Sequence, residues 1–210
     1  MAGAAAIMQA IESQNLILYQ TDLRGQWPQG PARAFAARLP YARRLALSSG
    51  SAAAHASLAG IALALRALTR LLGRRVHPGE MLFAQGEKPR LAPDIERATA
   101  DFSISHAGPW VACAALARGR IGLDLEMGTD ERITGWVLRE AALKASGEGL
   151  RALHEMQDVS VHGGRLSWRG ELWHVRRPAG FAGTSACIVC SDEIAAVESN
   201  ALGLAELFVS

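Results

Sequence analysis

The sequence predicts an α+β protein in which one chain forms two similar halves, residues 1–104 and residues 105–210. Two observations lead to this fold class. A long helical pattern is followed by a group of strand patterns, and this order occurs twice along the chain. The chain also has 210 residues, of which 50% are hydrophobic. That is enough for one compact domain, or for two small lobes that share a core.

The first half opens with a short apolar strand pattern at residues 15–19. Residues 31–47 are basic and rich in alanine, which favours helix in short pieces, and Pro40 interrupts them. Between residues 51 and 72, apolar side chains recur at helical spacing, and Gly73 follows directly. A glycine at that point is typical of a helix C-terminus, so we expect one long helix here.

Short strands separated by turn residues follow this helix. Residues 77–93 predict a short strand and then a turn built on Gly86 and Pro89. Residues 101–116 predict two strands joined by a Gly-Pro turn. Residues 117–127 predict the partner of the second of these strands, reached through an Arg-Gly-Arg hairpin turn.

The second half contains one more helix and a set of strands. Residues 136–150 predict the helix, in which Trp136, Glu140 and Lys144 share one side because they are four residues apart. The C-terminal region predicts three strands and a short tail. The strands lie at residues 159–168, 171–177 and 184–191.

Charge and cysteine content exclude several classes of protein. The net charge of +2 is too small to indicate binding to nucleic acid or to a membrane surface. Three cysteines in a chain of this length do not form a disulfide framework. The N-terminus lacks the basic start of a signal peptide, and the longest apolar run contains Arg66 and Arg70 and looks too short to span a bilayer. We therefore expect a cytoplasmic protein.

The stretch RIGLDLEM, residues 120–127, places two carboxylates in an otherwise apolar strand. Alternate side chains of a strand share a face, so Asp124 and Glu126 lie beside Gly122, opposite the apolar residues. Like charges this close repel one another, and a divalent cation such as Mg²⁺ or Mn²⁺ would relieve that repulsion. The alternative is a solvated edge with two ordinary surface acids.

Lysine is rare in this chain, because only Lys88 and Lys144 are lysines among 22 basic residues. Lys144 shares a helical face with Glu140, which could complete a metal site or accept a proton. A lysine is a compact charge that can contact a phosphate oxygen. The alternatives are a solvent-exposed Glu–Lys pair at Lys144 and a solvated loop lysine at Lys88.

Ser105 and His106 follow one another near the end of a predicted strand. Adjacent strand residues point to opposite faces, so the two side chains cannot easily meet as a nucleophile and its base. Binding of an anion is the more plausible role for both.

Four segments occur in a fixed order along the chain, namely GEKPRL, FSISHAGPWVACAAL, RIGLDLE and WVLREAALKASGEGL. Together they resemble the 4′-phosphopantetheinyl transferases of the larger, surfactin-synthetase-activating type. The resemblance covers residues 86–150, and residues 172–191 are more weakly similar to the closing strands of that family. Four ordered motifs are far more specific than any one of them.

The resemblance implies transfer of 4′-phosphopantetheine from coenzyme A to a serine of an acyl or peptidyl carrier protein, with release of adenosine 3′,5′-bisphosphate. It implies a monomer with two pseudo-symmetric halves, each a small antiparallel sheet packed with a long helix. Coenzyme A would lie between the halves, with its nucleotide on residues 1–104. The metal site and the catalytic helix would belong to residues 105–210.

Roles at the reacting centre follow from the same resemblance. Asp124, Glu126 and Glu140 would hold Mg²⁺ or Mn²⁺ on the pyrophosphate. Glu140 would also help to deprotonate the carrier serine, and Lys144 would contact the phosphate nearer the scissile bond.

The resemblance also implies residues that bind coenzyme A. Lys88 and Pro89 would belong to a loop that touches it, and Ser105 and His106 would grip its phosphates. A family arginine on the first long helix has no counterpart here, since the matching position is Ala56. Arg43, Arg44 or His55 could hold the nucleotide instead; no single one of them is indicated by the motif. Their part in the reaction is therefore open at this point.

One departure concerns carrier recognition. Residues 127–135 replace a much longer family insertion that contains a helix involved in meeting the carrier. A coenzyme A-binding protein with little or no turnover therefore stays open. The acid pair alone leaves open a third function, an unrelated Mg²⁺-dependent phosphohydrolase that uses Asp124 and Glu126.

Overall fold

The computed structural model describes residues 14–40, 43–44, 47–84, 87–93, 99–156 and 159–209. The predicted turn residue Gly86 lies outside these ranges, as does most of the N-terminal segment that was expected not to be a signal peptide. The fold is α+β, as predicted.

The helices and strands have the following limits. The helices are α1 (Gln29–Ala36), α2 (Ala52–Leu72), α3 (Glu131–Ser146) and α4 (Leu204–Leu207), and short 3-10 helices lie at Pro78–Glu80 and Leu150–Met156. The strands are β1 (Gln14–Asp22), β2 (Met81–Leu82), β3 (Arg90–Leu91), β4 (Asp101–Ala107), β5 (Trp110–Leu116), β6 (Ile121–Met127), β7 (Val161–His162), β8 (Arg165–Trp168), β9 (Glu171–Arg176), β10 (Thr184–Cys190) and β11 (Ile194–Leu202).

These strands form two main sheets and a small two-stranded ribbon of β2 and β3. The first sheet has the order β11-β1-β5-β4, and the second has the order β6-β10-β9-β8-β7. The second sheet is antiparallel, as expected. The first sheet is mixed, because β1 and β11 run parallel, so the expectation of an antiparallel sheet is wrong there.

Two further differences arise where the chain passes between sheets. Strand β6 does not pair with β5; it pairs with β10, and its start is fixed because Arg120 N–H donates to Ser191 Oγ while Ser191 N–H donates to Arg120 O. The segment predicted as a tail is strand β11, which returns to the first sheet. Most residues of β11 are exposed, and apolar and polar residues do not alternate clearly along it. The sequence pattern therefore did not predict a strand there.

The predicted boundary after residue 104 falls inside β4, and the first sheet takes strands from both sides of it. Helix α2 packs on the first sheet and α3 packs on the second. Between the sheets lies a third apolar core, formed by alternate residues of β1, β5, β6 and β10. The layers are therefore helix, sheet, sheet and helix.

Helix α2 begins and ends where the sequence predicts. Ser51 caps it by accepting a hydrogen bond from Ala54 N–H, and Gly73 ends it in the left-handed region at φ 63°. With 21 residues and high hydropathy it is long enough to cross a membrane, so the expectation that it is too short is wrong. However, 67% of its most apolar window is buried inside the protein, as in the core helix of a soluble domain.

Helix α3 starts at Glu131, five residues before the predicted start at Trp136. Asp130 caps it by accepting a hydrogen bond from Ile133 N–H, and Gly147 ends it at φ 79°. It lies very close to β6, because a Cβ atom built on Gly122 would be 1.9 Å from Ala141 O. The absence of a side chain at Gly122 is what lets the helix backbone approach the strand.

Candidate active site

The candidate site lies where the edge of the first sheet meets the edge of the second. Strands β4 and β6 are not neighbours within either sheet, yet alternate polar side chains of β4 contact the backbone of β6. The contacts join Asp101 Oδ2 to Ile121 N at 2.8 Å, Ser103 Oγ to Leu123 O at 3.5 Å, and Ser105 Oγ to Leu125 N at 3.2 Å. We call this line of contacts the β4–β6 seam.

Asp124 is the centre of a buried polar cluster at the end of this seam. Its Oδ1 atom accepts hydrogen bonds from Lys144 Nζ at 2.6 Å and from Ser105 Oγ at 3.0 Å. Lys144 Nζ also lies 3.3 Å from Ser105 Oγ. The Asp124 side chain is 3% exposed and that of Lys144 is 30% exposed, so the ion pair is open to solvent on the lysine side only.

The second carboxylate oxygen of Asp124 gives a test of whether the site suits a cation. Asp124 Oδ2 is buried and has no hydrogen-bond partner among the residues described. A buried carboxylate oxygen without a partner is costly, whereas a hard divalent cation binds such oxygens readily. Carboxylates at Glu126 and Glu140 are the other oxygen ligands nearby, so the donor chemistry fits Mg²⁺ or Mn²⁺.

The neighbouring acids affect the pKa of the Glu140 carboxyl. Burial raises the pKa of its carboxyl, and the charges of Asp124 and Glu126 raise it further, while Lys144 opposes them. A carboxyl with a raised pKa binds a proton more readily, and a neighbouring cation would reverse the shift. The charges of Asp124 and Glu126 therefore act on Glu140, and the predicted effect of Asp124 and Glu126 on each other stays a prediction.

The residue types suit a divalent cation, but the positions of the described side chains do not form a complete metal site. Within the ranges that the structure describes, no three Asp, Glu, His or Cys side chains converge closely enough to hold a metal ion. Glu126 and Glu140 are half-buried, whereas Asp124 is buried. The metal site stays a prediction, supported by Asp124 Oδ2.

Lys88 has partners inside the protein. Its Nζ atom lies 2.6 Å from Asp101 Oδ2 and 2.8 Å from Ile121 O, so it joins the start of both seam strands. Burial lowers the pKa of the Lys88 ammonium, and Asp101 partly opposes that shift. These contacts give the lysine a structural role, and its predicted contact with a phosphate stays a prediction.

Ser105 and His106 lie on opposite faces of β4, as expected for adjacent strand residues. His106 is exposed, whereas Ser105 is 6% exposed. The Ser105 hydroxyl donates to Asp124 and accepts from Leu125 N–H and Lys144, which uses its full bonding capacity. This arrangement argues against a Ser–His hydrolytic pair, because the hydroxyl has no histidine beside it.

The basic residues predicted to hold a nucleotide lie just before α2. Arg43 donates to Ser57 Oγ on that helix, and its guanidinium stacks 5.2 Å from the ring of Phe83. Arg44 donates to Ala37 O at 3.3 Å. Pro89 is half-buried beside Lys88. Of the residues that the resemblance assigns to coenzyme A, Lys88 contacts the β4–β6 seam, while the contacts given above join Arg43 to Ser57 and Phe83 and join Arg44 to Ala37.

Two features of the site were missed by reasoning from sequence. Asp101 binds both Lys88 and the start of β6, and a lone acid at the start of a strand gave no signal of this. Arg139, next to Glu140, has an Nε atom that is buried without a hydrogen-bond partner among the described residues.

Two cavities described by the structure lie away from this cluster. One is lined by α2 and the C-terminal segment, and the other by residues of the 155–172 region. The Asp124 cluster is instead a partly exposed junction. Neither the models of known protein families nor the curated proteins compared with this chain give a match.

Proposed function

We propose that this protein transfers 4′-phosphopantetheine from coenzyme A to a serine of an acyl or peptidyl carrier protein. The observation that carries the proposal is the meeting of three separate motifs at Asp124, where Ser105 of β4 and Lys144 of α3 both contact its carboxylate. Glu140 lies one helical turn before Lys144. The choice of this particular reaction and of its substrates rests on the four motifs of the resemblance.

Asp124, Glu126 and Glu140 would hold Mg²⁺ or Mn²⁺ in this function. The ion, when bound, would supply positive charge to the pyrophosphate of coenzyme A and align it for displacement. Asp124 Oδ2 supports this assignment, since it is buried with no other partner in the described part of the chain.

The residues of the chain have separate tasks in the transfer. Glu140 accepts the proton of the carrier serine at a carboxylate oxygen. The serine oxygen then forms a bond to the β-phosphorus, and the bond from that phosphorus to the bridging oxygen breaks. Adenosine 3′,5′-bisphosphate leaves with the electron pair, while the Lys144 ammonium stabilises charge on the phosphate.

Ser105 positions Lys144 and Asp124 relative to one another through its hydroxyl. Lys88 holds the starts of β4 and β6 together through Asp101 and Ile121 O. We propose that the enzyme acts as a cytoplasmic monomer whose partners are coenzyme A and a carrier protein, with no nucleic acid and no membrane involved.

Incubation of the protein with apo-carrier proteins, coenzyme A and Mg²⁺ tests the proposal. Intact-protein mass spectrometry should show one added phosphopantetheine group on a carrier serine. Glu140→Ala should reduce the rate on the order of a hundredfold or more, because it removes a charged group from the reacting centre. Glu131→Gln, on the exposed first turn of the same helix, is the matched control and should keep the activity.

Absence of a mass shift with carriers from fatty-acid, polyketide and peptide pathways would contradict the proposal. So would full activity of Glu140→Ala.

A coenzyme A-binding protein without turnover is the second candidate. The short 127–135 segment favours it, and so does the distance between the three acids, which do not converge on one point in the described structure. Calorimetry distinguishes the two functions. Mg²⁺-dependent binding of coenzyme A, together with unmodified carriers, would establish binding alone.

A further inference from the structure

A cavity of about 470 Å³ lies on the far side of the first sheet from the Asp124 cluster. It is bounded by the C-terminal half of α2, by β1 and by the segment that contains α4. Its apolar walls are formed by Phe35, Ala62, Leu65, Val76, Pro78, Leu207, Phe208 and Val209. This volume is within the usual range for sites that bind small molecules.

Four arginines line the same cavity, and two of them are already engaged. Arg66 donates to the carbonyls of Glu206, Leu207 and Val209 and so holds the C-terminal segment in place. Arg70 forms an ion pair with Glu198. Arg66 and Arg70 therefore have partners within the protein, and their contacts help to form the wall of the cavity.

The other two arginines have no such contacts. Arg38 and Arg75 are exposed, and among the described residues neither guanidinium has a hydrogen bond or an ion pair. Glu198 is occupied by Arg70, and Glu206 accepts a hydrogen bond from Gly203 N–H. The cavity therefore combines an apolar interior with uncompensated positive charge.

Polar groups inside the cavity are few. Thr69 uses its hydroxyl to accept a hydrogen bond from Val76 N–H, and Tyr19 is the other uncharged polar side chain in the lining. A sugar or a base would need several hydrogen-bonding groups here, whereas an alkyl chain needs none. Guanidinium groups pair well with a carboxylate in two-point geometry.

We propose that this cavity binds a small amphipathic carboxylate, with its alkyl chain against α2 and its carboxylate on Arg38 and Arg75. The site is separate from the proposed transferase centre, because none of its lining residues belongs to that centre. The inference therefore holds whether or not the protein transfers phosphopantetheine.

Calorimetry tests the proposal on the full-length protein with three probes that share a ten-carbon chain, below the concentrations at which they form micelles. Decanoate should bind saturably with one site per chain, more tightly than 1-decanol, and decyltrimethylammonium should not bind. The affinity for decanoate should fall as salt is added, because the charges are exposed. The double variant Arg38→Gln/Arg75→Gln should bind decanoate about tenfold more weakly.

Arg33→Gln is the matched control, since Arg33 is an exposed arginine of α1 that does not line the cavity, and it should bind decanoate as the unaltered protein does. Equal affinity of the double variant and the unaltered protein would overturn the proposal. Equal affinity for decanoate and 1-decanol would also overturn it, as would the absence of saturable binding.

Discussion

Ser105 joins two strands that share no backbone ladder. Its hydroxyl accepts from Leu125 N–H of β6 and donates to the buried carboxylate of Asp124. Ser103, two residues earlier on the same strand, makes only a longer contact of 3.5 Å with Leu123 O. Both serines lie on one face of β4 and are buried, but Ser105 makes the shorter and more numerous hydrogen bonds.

Replacement of these serines should separate the two roles. Ser105→Ala would leave Leu125 N–H and one bond of Asp124 unmet, so we expect the free energy of unfolding to fall by about 1–3 kcal/mol. Ser103→Ala should cost about 0.5 kcal/mol, because its bond is long. Urea unfolding of both variants measures the difference, and equal losses would contradict the assignment of Ser105 as the main contact of the seam.

Sequence reasoning predicted part of the site at this scale. Period-two alternation placed Asp124 opposite the apolar residues of β6, and helical spacing placed Lys144 and Glu140 on one side of α3. It could not predict that Lys88 binds Asp101, since the partner of an ion pair depends on which distant segments the fold brings together. Scarcity of lysine pointed to a phosphate contact for Lys88 and gave no sign of its ion pair with Asp101.

At the scale of elements, glycines fix the distance between helices and sheets. Gly122 lets α3 approach β6, and Gly60 lets α2 approach β4, where an added Cβ would lie 2.5 Å from Ile104 Cγ2. The neighbour at Gly122 is backbone, which cannot move without the whole helix, whereas the neighbour at Gly60 is a side chain. Gly122 is therefore the stricter of the two positions.

Gly122→Ala should destabilise the protein by about 3 kcal/mol or more, because α3 must move away from the sheet. Gly147→Ala, at the end of the same helix, should cost about 1 kcal/mol, since only its positive φ is strained and nothing lies near its Cβ. Thermal unfolding followed by circular dichroism compares the two variants. If the Gly122→Ala variant had the same melting temperature as the unaltered protein, the result would contradict the close approach of α3 and β6.

The ends of a helix could be predicted where the capping residues were recognisable in the sequence, and less well where they were not. Ser51 and Gly73 mark the ends of α2 in the sequence, and the structure agrees. The start of α3 was placed five residues late, because its first turns are polar and its cap, Asp130, was read as part of a loop. Strand β11 was missed for a similar reason, since its pairing with β1 leaves most of its side chains exposed.

At the scale of the whole molecule, each cysteine belongs to an apolar core. Cys113 lies in the core beneath α2, Cys187 in the core beneath α3, and Cys190 in the core between the sheets. Cys187 and Cys190 are three residues apart on one strand, so they face opposite sides of the second sheet. The CxxC spacing therefore does not bring the two thiols together.

Burial raises the pKa of both Cys187 and Cys190 to about 12, and it also raises that of Cys113. The thiolate is the reactive form, so we expect iodoacetamide at pH 8 to leave the native thiols unmodified and to label all three cysteines after denaturation. Because the unfolded thiols ionise first, stability should decline as the pH rises above the ordinary cysteine value. Mass spectrometry counts the labels, and rapid labelling of the native protein would contradict this burial.

The fold class could be predicted from the sequence, because two helix-then-strands patterns are local features. The layering could not be predicted, since it depends on β6 pairing with β10 and on β11 pairing with β1. Both pairings join segments that are far apart in the chain. The alternation of apolar residues in β6 suits either partner, so it cannot decide between them.

Residues 101, 103 and 105 meet the backbone of residues 121, 123 and 125, so these three contacts span the same interval of 20 positions. A single residue inserted or deleted within β4 or β6 would shift this register and turn the side chains beyond it to the opposite face, so that Asp124 would lose its partners. Length changes should therefore be tolerated after residue 127 or after α3, but not within these strands. Homologous chains that preserve this geometry should keep the two-residue spacing of the three contacts along both strands even where the amino acids themselves have diverged.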